Sequence, residues 1–217
     1  MADHMYKPWE VPKGERWEYF LDYYKKPCIF IACCLLALFS ILKSVFAPAP
    51  DLIILAAAST NYTDETVWTM ATDAMKDMPF DFNGDDDVLA EVNYVYFDMD
   101  TQTQDPEVFM ASQTRLSASI ATAESALQIV DAGTIGYFEE QGLMACYNEL
   151  PTLTEHDSDE LIKIPLHELK PFRDIDELPD GLFMTLRPKE LMQLGNSKKK
   201  LANYENQVAA LLAMMEE

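Results

Sequence analysis

The seven residues LIILAAA, Leu52 to Ala58, decide the fold class of this 217-residue chain. Every side chain in this run is apolar, and the run lies between Pro50 and the polar residues 59–61. A strand with one face in water alternates apolar and polar residues, whereas a strand covered on both faces is apolar throughout. The stretch therefore predicts a central strand of a parallel sheet with helices packed on both sides.

A longer apolar run lies upstream, where residues 28–46 read CIFIACCLLALFSILKSVF with Lys43 as the only charge. A bilayer core about 30 Å thick needs roughly 20 helical residues, and these 19 meet that length because a lysine near the end reaches the headgroups. A buried core helix and a cleaved signal peptide are the alternatives. The 27 residues before the run and the lack of a small-residue cleavage pattern after Phe46 favour a retained signal anchor.

Basic residues predict the orientation of this anchor. Five of them precede the run, and after Lys43 the next base is Lys76. The positive-inside rule then places the N-terminus in the cytoplasm of a single-pass cell-membrane protein. The predicted segments are a cytoplasmic segment (1–27), a transmembrane helix (28–46), a Pro-rich spacer (47–50) and an extracytoplasmic α/β domain (51–217).

Charge and cysteine content limit the partners and the stability of the outer domain. Residues 47–217 carry 32 acids and 10 bases. Such a domain repels phosphate backbones, so we expect no nucleic-acid partner and a preference for cations or basic ligands, although acidity can also serve solubility alone. Cys146 is the only cysteine outside residues 28–46, so no intramolecular disulfide is expected there.

Helix and strand patterns alternate after residue 58. Thr63 is a candidate N-cap of a helix over 64–78, and residues 88–97 are rich in β-branched and aromatic side chains typical of a strand. Asp105, Pro106 and Glu107 mark the start of a long helix. The remaining predicted elements are a strand at 126–130, a short helix at 134–141, short strands at 161–165 and 182–186, and a terminal helix N-capped by Asn203. The predicted fold is a single mixed or mostly parallel three-layer α/β domain after the transmembrane helix.

Four stretches resemble one protein family: WEYFLDYYK at 17–25, LSASIATAESALQIVD at 116–131, GYFEEQGL at 136–143 and ENQVAALLAM at 205–214. They are similar to segments of small membrane-anchored bacterial relatives of extracellular solute-binding proteins. The resemblance implies that the outer domain is related to one lobe of the periplasmic-binding-protein fold. It also implies a non-enzymatic module that binds a small solute or peptide at the cell surface.

An α/β sheet binds ligands outside the carboxyl ends of its strands, at a switch point of strand order. Here that place would hold residues that follow the first and third strands. The candidate ligand-binding residues are Ser59, Thr60, Asn61, Asp131, Gly133 and Thr134. The same residue types also form ordinary turns, which is the alternative interpretation.

The segment DFNGDDDV at 81–88 resembles the opening of an EF-hand or dockerin calcium loop. Asp81, Asn83 and Asp85 supply oxygens at loop positions 1, 3 and 5, and Asp87 stands at position 7. However, Asp86 replaces the usual glycine, and Val92 replaces the closing acid. The sequence therefore predicts either weak Ca²⁺ binding or an acidic Asn-Gly turn without metal.

Signatures of catalysis are missing from the sequence, which contains no Gly-rich phosphate loop and no nucleophile elbow. We therefore expect no enzymatic activity. Two other functions stay open: an interaction or scaffold protein of a membrane complex that keeps the fold without binding a ligand, and, more remotely, a membrane-anchored hydrolase.

Overall fold

The computed structural model describes residues 14, 25–45, 50–60, 65–99, 102, 105–151 and 159–216. The chain divides into two compact units, Met1–Pro48 and Ala49–Glu217. Most of the predicted segments 1–27 and 47–50, together with Thr63 and Asn61, lie outside the described residues.

The first unit contains helix α1, Lys25–Val45, whose 21 residues are long enough to cross a bilayer core. Its 18-residue window Lys25–Leu42 has a mean hydropathy of 2.0, and none of that window is buried. Phe30, for example, is 70% exposed. A core helix of a soluble protein would bury these side chains, so the exposure is typical of a membrane anchor or a signal sequence. The predicted N-terminal apolar helix is present.

The second unit is an α/β domain built on a five-stranded sheet. Its strands are β1 (Leu52–Ala58), β2 (Ala90–Tyr96), β3 (Leu127–Asp131), β4 (Ile164–Pro165) and β5 (Leu182–Leu186). Its helices are α2 (Glu65–Met75), α3 (Pro106–Thr122), α4 (Ile135–Glu140) and α5 (Lys198–Met215). Short 3₁₀ turns lie at Tyr147–Glu149, Leu166–Glu168, Lys170–Phe172 and Lys189–Met192.

The strand order is β2-β1-β3-β5-β4. Strand β1 pairs in parallel with β2 and with β3, so the prediction of a central parallel strand at 52–58 is confirmed. Strands β3 and β5 are antiparallel, with Gln128 opposite Thr185, and β4 is antiparallel to β5. The sheet is therefore mixed, as the sequence allowed.

Side chains of β1 alternate between two hydrophobic cores. Leu52, Ile54 and Ala56 join the core that includes residues of α2 and α5. Leu55 and Ala57 join the core that includes residues of α3 and α4. Because helices cover both faces of the sheet, the predicted three-layer arrangement is present, and each fully buried Leu or Ile contributes about 1.5–3 kcal/mol to folding.

The helix predictions are confirmed where the start signals are local. Asp105 caps α3 as predicted, since its Oδ1 accepts a hydrogen bond from Val108 N at 3.2 Å, and Phe109 and Leu116 of this helix are buried. In α2 Val67, Ala71 and Met75 are buried, but the helix ends at Met75 rather than at residue 78 as predicted.

The predicted start of the terminal helix was wrong. Helix α5 begins at Lys198, and Ser197 is its N-cap, with Oγ accepting from Lys200 N at 3.4 Å. Asn203 lies within the helix instead, and its Nδ2 donates to Glu124 O at 3.1 Å. Three lysines in the first turn oppose the helix dipole and hide this start from sequence rules, which expect acids there.

Candidate functional site

The carboxyl ends of β1 and β3 meet at Asp131, and the structure brings together there the described members of the predicted ligand site. Asp131 Oδ2 accepts from Ser59 N at 2.8 Å, from Ser59 Oγ at 2.8 Å and from Thr60 N at 3.0 Å. Asp131 Oδ1 accepts from Thr134 N at 2.9 Å and lies 3.0 Å from Thr134 Oγ1. We call these residues, with Gly133, the Asp131 junction.

Thr134 and Gly133 close this junction from the β3 side. Thr134 is fully buried, and its hydroxyl lies 2.9 Å from the Ala57 carbonyl of β1. A Cβ atom on Gly133 would lie 2.0 Å from Ser59 Oγ, so glycine is required for the two loops to approach this closely.

Both carboxylate oxygens of Asp131 thus accept hydrogen bonds from the protein itself. Buried carboxylates are stable when such donors surround them, and here the donors tie the loop after β1 to the loop after β3. The predicted grouping of Ser59, Thr60, Asp131, Gly133 and Thr134 is observed, while ligand binding by it stays a prediction.

The acidic loop 81–87 folds on its own backbone. Asp81 Oδ1 accepts from Gly84 N at 2.6 Å, and Asp81 Oδ2 accepts from Asp86 N at 2.9 Å. Asn83 and Asp85 accept from the backbone amides two residues on, at 2.9 and 3.0 Å. The bond from Gly84 N lowers the pKa of Asp81, because it stabilises the charged form.

Asp51 anchors this loop, although the sequence alone did not single it out. Its Oδ1 accepts from Phe82 N at 2.9 Å and Asn83 N at 3.1 Å, and its Oδ2 accepts from Leu89 N at 3.0 Å. Its position directly after Pro50 gave no hint of partners more than thirty residues away. Within the described residues no group of three His, Cys, Asp or Glu side chains is arranged to hold a metal. Ca²⁺ binding by Asp81, Asn83, Asp85 and Asp87 stays a prediction.

An open groove beside α5 is a second candidate site, which sequence reasoning missed. Its volume is about 410 Å³, within the range of small-molecule sites. We call it the α5 groove; its lining residues are Glu149, Pro151, Lys189, Tyr204, Glu205, Val208, Ala209 and Leu212. One wall is apolar, and the other lining residues carry charged or hydroxyl groups.

Glu149 organises the polar part of the α5 groove. Its Oε2 accepts from Tyr204 Oη at 3.2 Å and from Lys189 N at 2.9 Å. Burial and the nearby Glu149 carboxylate raise the pKa of Tyr204, so its phenol keeps its proton and donates to Glu149. Lys189 Nζ lies 5.8 Å from the centre of the Tyr204 ring, within the range of a cation–π contact.

A fully buried cation, Arg187, lies at the end of β5 and was also missed. Its Nη1 donates to Ile120 O at 3.2 Å, near the C-terminal end of α3, where the helix dipole favours positive charge. With the Gln128 amide turned so that its nitrogen faces Leu143 O, the Gln128 oxygen accepts from Arg187 Nε at 3.0 Å. Burial lowers the pKa of Arg187 to about 10, so the guanidinium stays charged at neutral pH. These contacts hold α3 to the sheet.

Comparison of the chain with protein-family models, with curated proteins and with solved structures gives no match.

Proposed function

We propose that the chain is a single-pass membrane protein that presents a non-enzymatic α/β binding module outside the cell. The observation that carries this proposal is helix α1, whose apolar surface is exposed along the entire 18-residue window. Exposed apolar surface of this extent is costly in water and stable in lipid. A second compact unit follows the helix, which is the arrangement of an anchored domain.

The orientation in this proposal rests on charge. Basic residues before α1 and at its start, including Lys25 and Lys26, are favoured on the cytoplasmic side, whereas residues 47–217 are strongly acidic. The C-terminal domain would then face outward, where cationic or basic ligands are attracted to it.

The proposed activity is reversible binding of a small solute or peptide. The α5 groove supports it, since it combines an apolar wall with a few polar groups and has the size of a ligand site. The resemblance of four stretches of sequence to relatives of solute-binding proteins favours the same activity.

A second candidate function is an interaction or scaffold protein that keeps the fold without a ligand. The Asp131 junction favours it, because both carboxylate oxygens at the switch point are already occupied by protein donors. With its switch point closed in this way, the sheet would hold the outer surface of the domain in a fixed shape for a partner protein.

Thermal unfolding of the full chain in neutral detergent separates the two functions. The chain is heated with sugars, amino acids, peptides, amines and metal ions in turn. A true ligand at a hundredfold excess over its Kd stabilises the folded state by about 2.7 kcal/mol, which is seen as a higher Tm. If no compound raises the Tm, the binding proposal is wrong and the scaffold function is favoured.

A further inference from the structure

The α5 groove contains a carboxylate, Glu149, that forms no ion pair with the described residues, although the ammonium group of the exposed Lys189 lies over the neighbouring Tyr204 ring. Glu149 is half-buried, and its hydrogen-bond partners among the described residues are neutral donors, the Tyr204 hydroxyl and the Lys189 backbone amide, both on Oε2. In the part of the chain that the structure describes, ion pairs join Lys76 to Asp73 and Lys163 to Glu139, and none involves Glu149. The second oxygen, Oε1, accepts no hydrogen bond from the described residues.

The surroundings of Glu149 determine which ligand suits it. A half-buried carboxylate gains most from a positive charge, because the surrounding protein screens that attraction less than water does. Tyr204 adds an aromatic face that attracts cations; the exposed Lys189 ammonium lies 5.8 Å from its centre, and an ammonium ligand would take that place. Glu205 adds a second negative charge at the groove. Val208, Ala209 and Leu212 form an apolar wall beside these groups.

Other ligand classes fit less well. An anion would meet two carboxylates, Glu149 and Glu205, against the single cation Lys189 among the lining residues, in a domain with an excess of acids over bases. A metal ion needs several oxygen, nitrogen or sulfur ligands, and no such group of three occurs among the described residues. A neutral apolar molecule would leave the charge of Glu149 without a partner.

We propose that the α5 groove binds a small organic ammonium ion with an apolar body, the ammonium group pairing with Glu149 and the body lying on Val208 and Leu212. The inference rests on the proposed binding function and names its ligand class. A volume of about 410 Å³ accommodates an aromatic or branched alkyl amine.

Isothermal titration calorimetry of the full chain in a neutral detergent tests this directly. The probe is 2-phenylethylammonium, and its matched control is 2-phenylethanol, which has a similar shape and no charge. We expect saturable one-to-one binding of the ammonium ion, and binding of the alcohol at least about tenfold weaker, a difference of about 1.4 kcal/mol.

Two variants locate the site. Glu149→Gln keeps an oxygen that accepts from Tyr204 and Lys189 but removes the charge, and it should weaken ammonium binding at least about tenfold. Glu177→Gln makes the same chemical change at an exposed acid outside the groove and should leave the binding unchanged.

The inference is wrong if the alcohol and the ammonium ion bind with the same Kd, or if the unmodified chain and Glu149→Gln bind the ammonium ion with the same Kd. It is also wrong if no saturable heat is seen up to about 10 mM probe, a concentration that reveals even millimolar sites. If the ammonium ion fails but another compound raises the Tm in the thermal screen, this inference is wrong while the binding function stands.

Discussion

At the scale of single residues, Gly133 shows how one missing side chain lets two loops meet. Gly133 has only a hydrogen at the position where another residue would have a Cβ. A Cβ there would lie 2.0 Å from Ser59 Oγ and 2.7 Å from Ser59 Cβ. Real Cβ atoms do not approach other atoms so closely, so any larger residue must push the loop after β1 away from Asp131. The junction would then lose hydrogen bonds that Ser59 donates to the Asp131 carboxylate.

We therefore expect Gly133→Ala to lower the free energy of unfolding by about 2 kcal/mol, the usual cost of overpacking. Gly136→Ala is the matched control, because nothing lies within 4 Å of its added Cβ and it stands inside helix α4. Alanine is the better helix former, so the control should be neutral or stabilising by up to about 1 kcal/mol. Urea unfolding of both variants measures this, and equal stability of the two would contradict the role of Gly133.

Tyr204 makes stability depend on alkaline pH. Burial and Glu149 raise its pKa in the folded chain above the ordinary value of 10.0. Above pH 10 the unfolded chain loses this proton while the folded chain keeps it, so ionisation favours the unfolded state. The contribution of Tyr204 to stability is therefore complete below pH 10 and declines as the pH rises further.

Tyr204→Phe should be less stable than the unmodified chain at pH 8 by about 1–2 kcal/mol, because the hydrogen bond to Glu149 is lost. That difference should shrink by about 1.4 kcal/mol per pH unit above pH 10, since phenylalanine does not ionise. Urea unfolding at pH 8, 10 and 11 measures the difference. A gap that stays constant with pH would show that Tyr204 keeps an ordinary pKa in the folded chain.

Sequence reasoning found the residues at the Asp131 junction and missed Asp51 and Arg187. The junction follows from a general rule, since the ends of neighbouring parallel strands lie side by side. Asp51 accepts from amides near residues 82 and 89, and Arg187 donates to Ile120. Partners so distant along the chain follow no local spacing, so only the fold reveals them.

At the scale of elements, helix α5 is fixed to the sheet by one buried amide. Gln207 Oε1 accepts from Ala126 N at 2.6 Å and from Leu127 N at 3.1 Å, at the start of β3. Its Nε2 donates to Glu124 O at 2.9 Å. The side chain thus satisfies backbone groups where β3 begins, and its loss would leave buried donors unpaired.

Gln207→Ala should lower the free energy of unfolding by about 3 kcal/mol, since it removes packing and leaves the Ala126 and Leu127 amides without their acceptor. Asn206→Ala, one residue earlier in the same helix, should cost less than about 1 kcal/mol, because Asn206 is only partly buried. Chemical unfolding followed by circular dichroism checks both variants. Similar losses in the two would mean that Gln207 is not the anchor of α5.

Strands and helices with a local apolar pattern were predicted well, and the later elements less so. LIILAAA predicted β1 correctly because an apolar run of seven residues between turn residues has the length of a buried strand and is shorter than most helices. The antiparallel return of β5 could not be deduced, since the irregular segment after Leu150 does not determine the direction of the next strand. Likewise, the three lysines at the start of α5 concealed six helical residues, 198–203, because sequence rules expect acids in a first turn.

At the scale of the whole molecule, the chain consists of an exposed apolar helix and a compact acidic α/β domain. The helix and the α/β class were predictable because each depends on a long uninterrupted apolar run in the sequence. The α5 groove was not predictable, since Glu149, Lys189 and Tyr204 belong to three separate elements. The proposed function requires that residues 51–217 lie outside the cell while the N-terminal segment stays in the cytoplasm.

Protease treatment of intact cells, or of spheroplasts where an outer membrane is present, tests this claim most directly. For this test one epitope tag is added before Met1 and another after Glu217. Lysed cells serve as the control, since the protease should remove both tags from them. We predict that the protease removes the C-terminal tag from intact cells and spares the N-terminal tag, because basic residues before α1 hold that end inside. Protection of the C-terminal tag, with or without loss of the N-terminal tag, would contradict the proposed orientation and the outward-facing binding module.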